Sequence, residues 1–131
     1  MNLLLDTHIW IWSLLEPNRL SRKVRRLLDD PANDVWLSPI SVWETLLLIE
    51  KGRLDIDRDA QIWINQALAG SGLREAPLTS EIAIASATLG LPQRDPADRF
   101  IAATAKVLGL TLVTADGHLA ASKEFAVLVN R

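Results

Sequence analysis

The sequence contains no cysteine among its 131 residues. This absence excludes disulfides, thiolate metal sites and cysteine nucleophiles, and it suits the reducing cytosol. The amino terminus also lacks a basic segment followed by a long apolar one and a small-residue cleavage site, so we expect no secretory signal. The apolar runs, residues 3–5 and 46–49, are far shorter than the roughly 20 residues that span a bilayer, and no membrane association is expected.

Strong basic charge is absent too. The net charge of −2 provides no general attraction to nucleic acid. An anionic substrate would therefore need local arginines or bound metal ions. Neither G-x-G-x-x-G nor a P-loop occurs, which disfavours a nucleotide-binding Rossmann domain. The length and the apolar fraction of 49% predict one domain, residues 1–131, with a real hydrophobic core.

The most informative stretch is the beginning, where three leucines precede Asp6, Thr7 and His8. A short apolar run of this kind is typical of a buried parallel strand. Ligands in open α/β sheets bind in the crevice at the carboxyl ends of the strands. The position of Asp6 therefore makes it a candidate site residue.

The rest of the chain alternates apolar runs with amphipathic helical patterns. This alternation predicts an α/β fold with a central parallel β-sheet flanked by α-helices, a three-layer α/β/α arrangement. Right-handed crossovers would bring all the strand carboxyl ends to one side. The predicted strands are 2–5, 35–38, 110–114 and 126–129, with a weaker one over 73–77 near a sheet edge.

Residues 19–28 place five basic side chains between leucines and a valine at helical intervals. The pattern predicts a helix with a basic outer face. Such a face could hold a phosphate backbone, although charged faces are more often simply solvated. Residues 53–92 show no chemistry and are interpreted as scaffold and partner surface.

Three further carboxylates follow elements that could bring them to the Asp6 edge. Glu44 lies early in a helix capped by Ser38, although Ser41-x-x-Glu44 also matches a capping box in which Glu44 only serves a backbone amide. Asp95 and Asp98 fit the start of a helix, where they would complement its dipole and remain ionised. Asp116 follows the strand 110–114, as Asp6 follows the first strand.

Several carboxylates in one pocket repel each other and need a compensating charge. Oxygen ligands without thiolates suit Mg²⁺ or Mn²⁺, and two such ions could activate a water and stabilise the leaving oxygen of a phosphodiester. His8 and His118 flank site aspartates, but a metal-activated water requires no histidine base. Arg94 and Arg99 are candidates for holding a phosphate backbone, although Arg99 could instead pair with a nearby carboxylate.

Four features in order resemble a PIN-domain ribonuclease, and more narrowly the VapC toxins of bacterial toxin–antitoxin pairs. They are the strand followed by Asp6-Thr7-His8, the helical Glu44, the segment Asp95-Pro96-Ala97-Asp98-Arg99, and Thr114-Ala115-Asp116. The resemblance covers essentially the whole chain. It implies that Asp6, Glu44, Asp98 and Asp116 bind the catalytic metal, with Thr7, Thr114 and Asp95 in support.

The resemblance also implies an activity and partners. We expect an Mg²⁺- or Mn²⁺-dependent endoribonuclease in the bacterial cytoplasm, with one or two ions per site, that leaves 5′-phosphate and 3′-hydroxyl ends. We further expect a homodimer inhibited by a small antitoxin, which would contact the first helices, with Trp10 or Trp12 as a candidate contact.

Two other functions compete with this interpretation. A Mg²⁺-dependent phosphatase of the haloacid-dehalogenase type needs a second acid two residues after its nucleophilic aspartate, and His8 occupies that position. A non-catalytic PIN-fold module that binds RNA or protein is the other alternative, and the presence of all four acids argues against it.

Overall fold

The computed structural model describes residues 1–92 and 94–131. These residues form a parallel five-stranded sheet in the order β3-β2-β1-β4-β5. The strands are β1 (Asn2–Leu5), β2 (Asp34–Leu37), β3 (Arg74–Glu75), β4 (Thr111–Thr114) and β5 (Ala126–Val129). All five predicted strands are therefore present, and β3 is an edge strand as predicted.

Helices occupy both faces of this sheet, which confirms the predicted three-layer α/β fold. They are α1 (Thr7–Leu15), α2 (Arg22–Asp29), α3 (Pro39–Glu50), α4 (Ala60–Ala69), α5 (Ser80–Thr88) and α6 (Pro96–Leu108). Two short 3₁₀ turns lie at Pro17–Arg19 and Gly117–Ala121. In the part of the chain that the structure describes, no helix is long and apolar enough to cross a membrane.

The alternation of side chains along β1 explains the layers. Leu3 and Leu5 pack with Ile9, Val24 and other apolar side chains of α1, α2 and α4 on one face of the sheet. Leu4 points to the other face and packs against the α6 side. Because β1 lies between β2 and β4, its leucines are fully enclosed, which is why the strand is apolar on both faces.

Two details differ from the sequence expectations. The basic segment predicted as one helix over 19–28 is divided, because residues 17–19 form a 3₁₀ turn and Ser21 caps the separate helix α2. Trp10 is only 1% exposed and belongs to the core. The expectation that Trp10 contacts an antitoxin is therefore wrong.

The parallel sheet places the ends of its central strands at one edge. Asp6 directly follows β1, and Asp116 comes two residues after β4. The Asp6 amide continues the β1–β4 pairing by donating to the Val113 carbonyl. The sheet thus brings together residues that are more than a hundred positions apart in the sequence.

Candidate active site

An open cavity of about 610 Å³ lies at this edge of the sheet. Five carboxylates line it: Asp6, Glu44, Asp95, Asp98 and Asp116. They come from the end of β1, from α3, from the start of α6 and from the segment after β4. All four acids predicted as the metal-binding set therefore line one cavity, together with the predicted accessory residue Asp95.

Asp6 is held by both of its carboxylate oxygens. The Thr7 amide donates to Oδ1 at 2.9 Å, so Asp6 caps α1. The Thr114 hydroxyl donates to Oδ2 at 2.7 Å from the end of β4. Thr114 is fully buried, so this bond fixes the Asp6 carboxylate from the interior of the protein. Each carboxylate oxygen has two lone pairs, and both oxygens therefore retain acceptor capacity.

Thr114 also orients Asp116. Its hydroxyl oxygen accepts a hydrogen bond of 3.1 Å from the Asp116 amide, so one buried hydroxyl links two acidic residues. The Asp116 carboxylate in turn caps the following 3₁₀ turn by accepting from the His118 amide at 2.9 Å. Nδ1 of the exposed His118 ring lies 3.1 Å from the same oxygen. Thr114, predicted to support the site, thus contacts two of the predicted acids, Asp6 and Asp116.

Glu44 lies inside α3, which begins after Ser38. The Ser38 hydroxyl accepts from the Ile40 amide at 3.1 Å, and Pro39 occupies the first helical position. Ser41 is already within the helix, and its hydroxyl accepts from the Thr7 hydroxyl at 3.0 Å. The capping-box alternative for Glu44 is therefore wrong, because Ser38 has taken the capping role. Thr7 connects α1 to α3 beneath the cavity.

Asp95 caps α6 from the position before the helix, and Asp98 lies in its first turn. Asp95 caps the helix through Oδ1, which accepts from the Ala97 amide at 2.8 Å, and Pro96 follows at the first helical position. Glu44, Asp95 and Asp98 each offer an oxygen within 4.8 Å of the others. This potential metal-binding group thus includes Asp95, which the sequence indicated only as an accessory residue.

Burial and the crowding of like charges raise the pKa of one of these acids. The pKa of Asp98 rises from its ordinary value of 3.8 to about 7. Burial is the main cause, followed by repulsion from Asp6 and then from Asp95, Glu44 and Asp116. A divalent cation would relieve this repulsion, and the carboxylate oxygens of Glu44, Asp95 and Asp98 fit Mg²⁺ or Mn²⁺. The donor set is therefore suited to a hard cation.

The two arginines predicted as RNA contacts are not among the described residues that line this cavity. Arg99 donates from Nε to the Ser86 carbonyl at 2.9 Å and from Nη2 to the Leu89 carbonyl at 2.7 Å. Nη1 donates to the Leu91 carbonyl at 3.2 Å. The guanidinium thus holds the carboxyl end of α5 and does not line the acidic cavity. Arg94 is exposed and also lies outside the described lining of that cavity.

The cavity lining also includes His8, Trp12 and Arg19, which were not predicted as site residues. His8 and Trp12 are one helical turn apart on α1, with ring centroids 6.0 Å apart. Arg19 lies over the Trp12 ring, with its guanidinium carbon 4.2 Å from the ring centroid. The i, i+4 spacing of His8 and Trp12 was a usable signal, whereas the position of Arg19 depends on the turn that precedes α2.

Comparison with known proteins agrees with this geometry. Residues 3–124 match the PIN domain family. The ribonuclease VapC22 of Mycobacterium tuberculosis is 33% identical to this chain over 119 residues, which cover 88% of each protein.

Solved structures give the same result for the fold. FitAcB from Neisseria gonorrhoeae is 29% identical, with 96% of each chain covered and a TM-score of 0.61. VapBC2 from Rickettsia felis, bound to a DNA fragment from their promoter, is 18% identical, with 98% of each chain covered and a TM-score of 0.71. The chain therefore belongs to the PIN domain family, and within that family to the VapC-type proteins.

Proposed function

We propose that this chain is a metal-dependent endoribonuclease that acts as the toxin of a toxin–antitoxin pair. The observation that carries the proposal is the convergence of five carboxylates on one cavity at the end of the sheet. A relative that is 33% identical over most of both chains is named a ribonuclease, which supports RNA as the substrate.

The acidic residues would hold one or two Mg²⁺ or Mn²⁺ ions. Glu44, Asp95 and Asp98 form the compact group, and Asp6 and Asp116 face the same space. When bound, such ions supply an activated water and neutralise charge on the phosphate. Hydrolysis adds the water oxygen to phosphorus and breaks its bond to the 3′ oxygen, which takes up a proton. The products would carry 5′-phosphate and 3′-hydroxyl ends.

The chain's own contribution to this reaction is to fix the ligands before the substrate arrives. Two of the acids share the buried Thr114 hydroxyl, and Thr7 links the start of α1 to Ser41 in α3. Residues that orient metal ligands typically change metal affinity or activity by about 10–100-fold when they are removed. We therefore assign Thr7 and Thr114 as positioning residues.

We also propose a small antitoxin protein as the partner and a homodimer as the functional unit. Chains in the solved structures of DNA-bound VapBC from Salmonella typhimurium and of FitAB bound to a DNA fragment resemble this chain over nearly its full length. The exposed parts of the first helices are the expected contact for an antitoxin. The bacterial cytoplasm, where such pairs act on RNA, remains the expected location.

The function is tested by incubating the protein with a panel of structured RNAs that includes transfer and ribosomal RNA fragments. Reactions contain Mg²⁺, Mn²⁺ or EDTA. Asp6→Asn removes one ligand charge at constant volume, and Asp55→Asn makes the same change at an exposed position outside the cavity. We expect metal-dependent cleavage that only Asp6→Asn abolishes. A folded, metal-binding protein that cuts no RNA in the panel would instead favour a non-catalytic binding module.

A further inference from the structure

Arg19 is the only arginine or lysine among the described residues that line the acidic cavity. It is held there by two contacts. Its guanidinium lies over the Trp12 ring at 4.2 Å, and Nη1 donates to Glu16 Oε2 at 3.1 Å. The side chain of Arg19 is nevertheless 57% exposed. The Arg19 guanidinium therefore lies in a defined orientation at the edge of a cavity that is otherwise lined by acidic residues.

This arrangement leaves most of the guanidinium for a ligand. Arginine has five N–H donors in a planar fork, and the ion pair with Glu16 uses Nη1. Stacking on an aromatic ring limits the rotamers of the side chain, so less conformational entropy is lost when the fork binds. Glu16 does not line the acidic cavity itself, so Arg19 is not committed to the proposed metal ligands.

A second groove of about 470 Å³ adjoins the acidic cavity. His8, Trp12, Arg19 and Glu44 line both spaces, which makes them continuous. The groove adds another cation, Arg53. A chain that crosses the acidic cavity and continues into this groove must therefore pass Arg19.

The chemistry of the ligand follows from this spatial arrangement of charges. A polyanion that approaches five carboxylates is repelled unless cations lie along its path. The arginine fork matches two oxygens of a phosphodiester, and such bidentate contacts are strong and directional. We propose that Arg19, oriented by Trp12, binds the phosphate adjacent to the one that is cleaved, where the RNA leaves the acidic cavity for the groove. This inference rests on the proposed function and adds a substrate contact to it.

The chain offers a matched control three residues away. Arg22 begins α2, is exposed, and lines neither the cavity nor the groove. Arg22→Gln and Arg19→Gln therefore remove the same charge from neighbouring positions. Any general effect of lower positive charge on RNA binding appears in both variants, whereas loss of a defined contact appears only in Arg19→Gln.

Binding is measured first in Mg²⁺, with a fluorescein-labelled, random-sequence RNA of 20 nucleotides and the Asp6→Asn protein, which we expect not to cleave RNA. We expect the additional change Arg19→Gln to weaken binding about tenfold at low salt, the scale of one charge-assisted contact. The slope of log affinity against log salt should fall by about 0.7, the value for one phosphate contact on a single strand. Arg22→Gln should change affinity by less than about twofold, as a distant exposed charge does.

The role of Trp12 gives a second readout. Trp12→Leu should reproduce the loss seen for Arg19→Gln although the arginine is retained, and Trp12→Phe should preserve binding because a ring remains beneath the guanidinium. Equal affinities and salt slopes for Arg19→Gln and Arg22→Gln would overturn the proposal. Normal binding by Trp12→Leu would overturn the orienting role of the ring.

Cleavage separates this inference from the proposed function. On an RNA that the wild-type protein cuts, Arg19→Gln should raise KM much more than it lowers kcat, because the contact positions the substrate outside the metal group. If the wild-type protein cuts RNA and Arg19→Gln has the same KM as Arg22→Gln, the Arg19 contact is refuted while the proposed function is supported. If the wild-type protein cuts no RNA while Arg19→Gln still loses binding, the proposed function fails and the phosphate contact stands.

Discussion

Replacing Thr114 by valine tests the structural role of a single hydroxyl in the site. The change keeps the shape of a fully buried side chain at the end of β4. It removes the 2.7 Å bond to Asp6 Oδ2 and the acceptor of the Asp116 amide. Both acids would then lose the group that fixes their positions relative to each other.

The magnitude can be estimated from these contacts. Hydrogen bonds to charged groups contribute about 1.5–3 kcal/mol, and a tenfold change in affinity corresponds to about 1.4 kcal/mol. Thr114→Val should therefore weaken Mn²⁺ binding and RNA cleavage by about 10–100-fold, which agrees with the usual effect of removing a residue that orients metal ligands. Because Asp6 is only half-buried, water can partly replace the lost donor, so the lower part of this range is expected.

Two variants control for the loss of a buried hydroxyl as such. Thr114→Ser keeps the hydroxyl and should retain most of the metal affinity. Thr104→Val removes an equally buried hydroxyl that donates to the Phe100 carbonyl within α6, away from the cavity, and should leave metal affinity unchanged. Mn²⁺ titration by isothermal calorimetry and cleavage assays measure the effects. Wild-type Mn²⁺ affinity in Thr114→Val would refute the orienting role of this residue.

Three further predictions concern the charge of the site and the role of Arg99. Burial and neighbouring carboxylates raise the pKa of Asp98 to about 7, so from about pH 4 to 7 the folded metal-free protein holds a proton that the unfolded chain has released. Its free energy of unfolding in EDTA should therefore fall as the pH rises through this window, and the decrease should be smaller in Asp98→Asn. Urea titrations that give both proteins the same pH dependence of this free energy would contradict the prediction. Mg²⁺ or Mn²⁺ at 100 times its dissociation constant should stabilise the wild-type fold by about 2.7 kcal/mol, and a melting temperature unchanged by millimolar ion would exclude a preformed site. Arg99→Met should lower the free energy of unfolding by about 2–3 kcal/mol, because three carbonyls around the end of α5 lose their donor. Cleavage per folded molecule should not change. Normal stability combined with lost cleavage would instead indicate that Arg99 contacts RNA.

Much of the fold could be predicted because its signals are local. The leucines of β1 and the strand-end position of Asp6 follow from a buried parallel strand, and Asp95, Pro96 and Gly109 mark the ends of α6 in the sequence. The left-handed backbone of Gly109, with φ of 67°, is the conformation that favours glycine at a helix end.

The site was less predictable where side-chain direction depends on packing. Arg99 is adjacent to Asp98 in the sequence, but successive helical residues point about 100° apart, so Arg99 reaches α5 while Asp98 faces the cavity. Asp95 was assigned mainly to capping, yet its cap bond uses one oxygen and the residue still joins the compact group. Arg19 enters the cavity only because a 3₁₀ turn places it over Trp12.

The central claim is that the carboxylates act together as a metal site for RNA cleavage. Electron paramagnetic resonance of free Mn²⁺ measures binding directly in the wild-type, Asp98→Asn and Asp55→Asn proteins. The same samples are then assayed for RNA cleavage. We expect saturable binding of one or two ions by the wild-type and Asp55→Asn proteins and loss of binding in Asp98→Asn. RNA cleavage should increase with the fraction of protein that has bound Mn²⁺. Equal Mn²⁺ binding by the wild-type and Asp98→Asn proteins, or undiminished cleavage in EDTA, would contradict the account.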